Sequence, residues 1–138
     1  MKILHILSIT LITTLFSLPS YAFECNPDGN QSEMNACAYD DMKKADRELN
    51  RIYKALRNKM KGDKTYLRNL KLAQRAWIKF RDAELETMFS CDDDNPRICW
   101  GSMYGMLYPY AHAELTTERT SRLRFYLEKG INSSAAQQ

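Results

Sequence analysis

The residues of this chain that could do chemistry are four cysteines, two histidines, seven methionines and a scatter of carboxylates. Cys25, Cys37, Cys91 and Cys99 all lie beyond the N-terminal apolar segment. An even set of cysteines in an exported chain reads first as two disulfides, with three pairings open. Sequence proximity favours Cys25–Cys37 and Cys91–Cys99, each closing a short loop that chain entropy makes worth roughly 3 kcal/mol. Structural zinc is the competing use, but it takes paired ligands separated by roughly two to four residues. Neither cysteine pair has that gap, and His112 is the sole histidine after His5. No metal site and no cofactor is expected.

With the thiols oxidised, no nucleophile, base and orienting group can be assembled around His112, which is read as a surface or core-edge residue. Glu84 and Glu114 could act on a glycoside only across a groove of set separation. A plainer use lies in the segment from Gln74 to Glu84, which sets Gln74, Arg81 and Glu84 on or beside a face shared with Trp77. Half-buried polar groups left without partners cost about 1–3 kcal/mol each. Glu114, Arg119, Thr120 and Asn50 are the candidate partners. Gln74, Arg81, Glu84, Glu114 and Arg119 are therefore read as an inter-helix polar clasp that fixes register. Six methionines follow the apolar segment, and thioethers suit Cu(I). Four of them fall at helical core positions, where methionine fills gaps, so copper is not expected either. The chain is not read as an enzyme.

The residues with the best claim to a partner are of another kind. Trp100, Tyr104, Met106, Tyr108 and Tyr110 follow a loop carrying Asp92, Asp93 and Asp94. Large rings beside a disulfide-closed loop are typical of binding surfaces, although core packing accounts for at least half of these rings. Asp92, Asp93, Asp94, Trp100, Tyr104 and Tyr108 are the candidate partner-binding residues. An acidic loop of this kind would suit a cationic cleft.

The elements that must carry these side chains follow from periodicity. Residues 1–22 read as a cleavable export signal: Lys2, an apolar run to Leu18, Pro19, then Ser20, Tyr21 and Ala22 before the cut. The run is shorter than the roughly 20 apolar residues of a membrane span, and Cys25 stands too far behind it for lipid attachment. What remains, residues 23–138, is one domain of periplasmic or secreted type with no further span. Loss of Lys2 takes the formal net charge from +3 to +2, too weak a field to suggest nucleic acid.

From Ser32, the residues Met34, Ala38, Met42, Ala45, Leu49, Ile52, Leu56 and Met60 recur at steps of four and three, predicting an amphipathic first helix that Gly62 ends. A second helix is predicted over about 64–90. Its expected inner stripe is Tyr66, Leu70, Ala73, Trp77, Phe80 and Thr87, with Leu67, Gln74, Arg81, Glu84 and Met88 beside it. The short link between them makes the two helices antiparallel neighbours. Residues 91–101 break the pattern as a loop. A third helix runs from about 102 to 129, stopped by Gly130 and bent or divided at Pro109. The inner face of its second half is Leu115, Leu123, Tyr126 and Leu127, and residues 131–138 form a polar tail. The fold class is all-α: an antiparallel bundle of three long helices, the third bent near Pro109, stapled by disulfides.

Three blocks in order carry a resemblance. The first is Glu33-Met34-Asn35-Ala36-Cys37-Ala38 with Ala45-Asp46 and Leu49-Asn50-Arg51-Ile52-Tyr53. The second is Ala73-Gln74-Arg75-Ala76-Trp77-Ile78-Lys79-Phe80-Arg81-Asp82-Ala83-Glu84. The third is Ala113-Glu114-Leu115-Thr116-Thr117-Glu118-Arg119-Thr120 with Leu123. Together they resemble the LprI-like lysozyme-inhibitor domain family. The resemblance implies a helical, exported, disulfide-containing domain and, as candidate activity, inhibition of lysozyme through a protein–protein contact. One departure stands out: the family often has a cysteine directly after the Arg-Asp-Ala-Glu run and another shortly before the third block. Leu85 takes the first place here, and no cysteine lies between Cys99 and Leu115. The expected function is a periplasmic inhibitor of lysozyme-type muramidases acting by occlusion. An immunity protein against a periplasm-targeted toxin, or a non-enzymatic envelope stress or structural protein, are the alternatives.

Overall fold

The computed structural model describes residues 25–130. The expected export signal over residues 1–22 and the polar tail lie outside the described residues. Four α-helices follow in order: α1 Gln31–Lys59, α2 Lys64–Met88, the short α3 Arg97–Trp100, and α4 Tyr104–Lys129. A 3₁₀ turn, Gly101–Met103, leads into α4. Among the described residues there is no strand, and no helix is long and apolar enough to cross a membrane.

Local chemistry sets the helix ends. The Asn30 side chain accepts from the Ser32 and Glu33 amides while the Glu33 carboxylate accepts from the Asn30 amide. That reciprocal box satisfies amide groups the first turn would otherwise leave open. The Cys25–Cys37 disulfide holds the preceding turn against α1, its Cα atoms 4.5 Å apart. Asp63 caps α2 by accepting from the Tyr66 amide at 2.8 Å. Gly130 ends α4 at φ 79°, a left-handed value that suits glycine. α1 ends at Lys59, short of Gly62.

The core gathers Leu49, Ile52 and Leu56 of α1, Leu70 of α2 and Leu123 of α4, with Trp77, Tyr66 and Tyr126 packed around them. The expected α1 stripe faces inward along its length: Ala38, Leu49, Ile52 and Leu56 are buried and its other members half-buried. The helix most intimate with α1 is not its sequence neighbour. α1 packs closely against α4, and α2 touches α4 more sparingly. Small residues permit the α1–α4 approach, because the side chains at a contact set the interaxial distance. Ala38, Ala111, Thr116 and Thr120 are buried there, and a Cβ on Gly105 would come within 2.8 Å of the Asn35 amide nitrogen.

Two expectations for side-chain facing are corrected. Phe80 is 58% exposed and Met88 45% exposed, and Ala73 and Thr87 of the expected stripe are exposed as well, whereas Leu85, which was not assigned to it, is fully buried. α2 is rolled so that its Gln74 and Arg81 edge turns inward. The reason is that both polar residues find partners there, as described below. On α4, Ala111, His112, Thr116 and Thr120 join Leu123 as buried residues. α4 also continues as one helix through Pro109, where a division was one of the expectations. Pro109 falls early in the helix, and the residue one turn before it is Gly105, which has no side chain to crowd the ring.

Candidate functional site

Two surface features bring together the residues singled out above. The first is the end of the molecule where α2 gives way to residues 89–103. Cys91 and Cys99 are bonded, with Cα atoms 5.9 Å apart, so the acidic segment is a closed loop. Asp92, Asp93 and Asp94 are all exposed. Within the loop, Asp93 accepts from the Asn95 amide at 2.8 Å and Asn95 accepts from the Arg97 amide at 3.1 Å. These bonds give the loop a local shape beyond its disulfide. Ile98 projects from it, 68% exposed.

The rings predicted beside this loop are present, but they stand around a residue the sequence reading passed over. Phe89 is the hub: its ring centroid lies 5.2 Å from Trp100, 5.8 Å from Tyr104 and 5.5 Å from Tyr108. Tyr104 and Tyr108 are themselves 5.5 Å apart. Trp100, Tyr104 and Tyr108 are half-buried, so part of each ring works as packing. A depression of about 400 Å³ lies against this cluster, with Phe89, Tyr104 and Tyr108 among its lining and Glu86 and Asp93 at its wall. Burial raises the Tyr108 phenol above its ordinary range, assisted by neighbouring Tyr104 and the Asp82 and Glu86 carboxylates. The depression is therefore aromatic at its base, with the Glu86 and Asp93 side chains at its wall. Phe89 fell inside the expected second helix, and its helical phase gave no sign that three rings would converge on it.

The second feature is the polar clasp. Gln74 accepts a bond from the Arg119 guanidinium at 3.0 Å, linking α2 to α4. Arg119 is partly buried, which favours its neutral form without removing its charge at ordinary pH. The Arg81 guanidinium lies 5.2 Å from the Trp77 ring, pairs with Asp82 at 2.7 Å and reaches Asp46 of α1 at 3.8 Å. Two of the five proposed clasp residues are not joined to the other three. Glu114 is exposed, Glu84 is half-buried, and neither has an ion-pair partner among the described residues. The contacts present are Gln74 with Arg119 and Arg81 with Trp77 and Asp46. A further cross-link, Arg124 to Glu48, joins α4 to α1 and was not anticipated.

His112 is buried rather than exposed, and its Nδ1 has no hydrogen-bond partner. Burial, together with the nearby Arg81 charge, lowers its proton affinity. No group of three or more His, Cys, Asp or Glu side chains among the described residues is placed to hold a metal ion.

These features define a class: a small, disulfide-stapled helical protein whose candidate site is a contact surface. Residues 24–123 match the family described as lysozyme inhibitor LprI, and the chain belongs to that family. It is also 34% identical over 120 residues to an uncharacterized protein of Rhizobium meliloti (strain 1021), covering 79% of this chain and 82% of that one. No solved structure matches it.

Proposed function

We propose that this protein is a periplasmic or secreted inhibitor of a lysozyme-type muramidase and acts by occluding its cleft. The family supports an inhibitory rather than an enzymatic role, and two disulfides suit an oxidising compartment. The observation that carries the reading is the aromatic depression walled by Glu86 and Asp93 beside the closed acidic loop. Carboxylates over aromatic rings can receive a lysine or arginine of a cationic partner by ion pairing and by cation–π attraction, the latter worth roughly 0.5–2 kcal/mol. Exposed Ile98 and Met103 supply apolar contact next to it. Asp92, Asp93 and Asp94 steer the encounter, while Trp100, Tyr104 and Tyr108 hold the loop's base rigid.

The helices present this surface as an up-down-up bundle. Lys59 binds the Leu127 carbonyl and Glu48 pairs with Arg124, so α1 and α4 advance together. Gln74 with Arg119 and Phe89 with Tyr104 make α2 antiparallel to α4. The deciding experiment is inhibition of peptidoglycan hydrolysis by the oxidised mature protein against lysozymes of the different structural types. Inhibition that weakens about tenfold or more when Asp92, Asp93 and Asp94 are changed to lysine supports the reading, since rim charges act chiefly on association rate. Failure against every lysozyme type, or inhibition indifferent to those three charges, refutes it.

A further inference from the structure

Between α1 and α2 the bundle is open. A groove of about 550 Å³ runs there, its α1 wall spanning Asp46 to Arg57 and its α2 wall spanning Leu67 to Arg81. Four cations line it, Arg57, Lys71, Arg75 and Arg81, against the single carboxylate of Asp46. Arg81 is engaged with Asp82 and Asp46, but Arg57, Lys71 and Arg75 make no ion pair among the described residues. Lys71 and Arg75 stand four residues apart on α2, where like charges destabilise a helix by a few tenths of a kcal/mol. Folding thus gathers positive charge in a concavity without a matching counter-charge, and an anion bound there would relieve the repulsion.

The groove's other features narrow the kind of anion. Its aromatic rings already carry guanidinium groups: Arg81 lies 5.2 Å from the Trp77 ring, Arg119 lies 6.0 Å from it, and Arg57 lies 5.8 Å from the Tyr53 ring. They orient cations and are poorly placed to serve as open platforms for sugar rings. The Gln74 carbonyl is taken by Arg119, which leaves the amide nitrogen to donate. Ile78, 39% exposed, and Leu67 add apolar wall. From Asp46 to Arg57 the groove is about 16 Å long at the helical rise, the length of roughly five extended residues.

We propose that the α1–α2 groove binds a short, extended, acidic peptide segment of a protein partner. Its carboxylates pair with Arg57, Lys71 and Arg75, and its intervening apolar side chains rest on Leu67 and Ile78. The site is independent of the inhibitor reading: Gln74 at its centre is about 20 Å along α2 from Met88, where the acidic loop begins. The charge of the occupant is also opposite to that expected at the loop.

The test is isothermal titration of the full oxidised protein with the synthetic pentapeptide acetyl-Glu-Leu-Glu-Leu-Glu-amide. Its lysine-for-glutamate counterpart and a neutral N-acetylglucosamine tetramer serve as comparison ligands. The expected result is binding by the acidic peptide alone, weakened about tenfold or more between low and physiological salt as screening sets in. Arg57→Glu, Lys71→Glu and Arg75→Glu combined should abolish it. All three positions are exposed, and the helical circular dichroism of the variant confirms that it folds. Equal binding of the lysine peptide, retained binding by the charge-reversed variant, preference for the neutral glycan, or no binding even at low salt would each overturn the proposal.

Discussion

At the scale of single residues, burial separates positions that look alike in sequence. Leu123 is fully enclosed, whereas Phe80 is 58% exposed. Leu123→Ala should therefore cost about 2–5 kcal/mol in urea unfolding, and Phe80→Ala should fall within about 0.5 kcal/mol of the parent. A large loss at Phe80 would mean that its face of α2 is covered in solution. His112 gives the chain a pH dependence of its own. Burial and Arg81 lower its folded pKa, so the unfolded chain binds the extra proton first. Stability from this group is full above about pH 6.5, the ordinary histidine value, and falls as the pH drops below it. Melting temperatures measured at pH 7.5 and 5.5 should differ in that direction, and His112→Leu should flatten the difference. Glu48 acts in a more acidic window. Its bonds from Arg51, with Arg124 assisting, hold its pKa at about 2 against an ordinary 4.5. Its contribution is complete above about pH 4.5 and disappears as the pH falls towards 2.

At the scale of elements, the helices were legible because their stripes and terminal residues agree. Asn30 and Glu33 box the start of α1, Asp63 caps α2, and Gly130 stops α4. The roll of α2 was not legible. Its apolar residues occupy more than one face, and periodicity alone cannot say which edge turns inward when Gln74 and Arg81 acquire partners across the bundle. Nor could periodicity show Arg97–Trp100 as a helical turn inside the loop, since four residues carry no repeat. Leu85 is instructive in the same way. It fills a fully buried place that the assigned stripe of α2 did not include. Replacing Cys91 and Cys99 together by serine should lower stability by about 2–3 kcal/mol with helical content retained. The same change should remove most of any lysozyme inhibition, because the loop loses its fixed shape. Circular dichroism and the hydrolysis assay, read side by side, separate the two effects.

At the scale of the molecule, charge is segregated rather than large. A formal net charge of +3 conceals an acidic end beside the Cys91–Cys99 loop and a basic groove between α1 and α2. The candidate loop residues were legible because aspartates, cysteines and aromatics are contiguous there. The groove was not, because its cations come from two helices and only the separation of α1 from α2 assembles them. The two proposed surfaces therefore predict opposite mutational signatures: charge reversal at Asp92, Asp93 and Asp94 should act on one partner, and charge reversal at Arg57, Lys71 and Arg75 on the other.

The close pairing of α1 with α4 also governs how the chain must fold. The ties between them, Glu48 to Arg124 and Lys59 to Leu127, span 76 and 68 residues. A chain emerging N-terminus first cannot shield Leu49, Ile52 and Leu56 until Leu123 has been made. Contacts of such long sequence separation slow folding, and for an exported protein, as proposed above, the delay would keep the polypeptide threadable through a translocation channel until its last helix arrives.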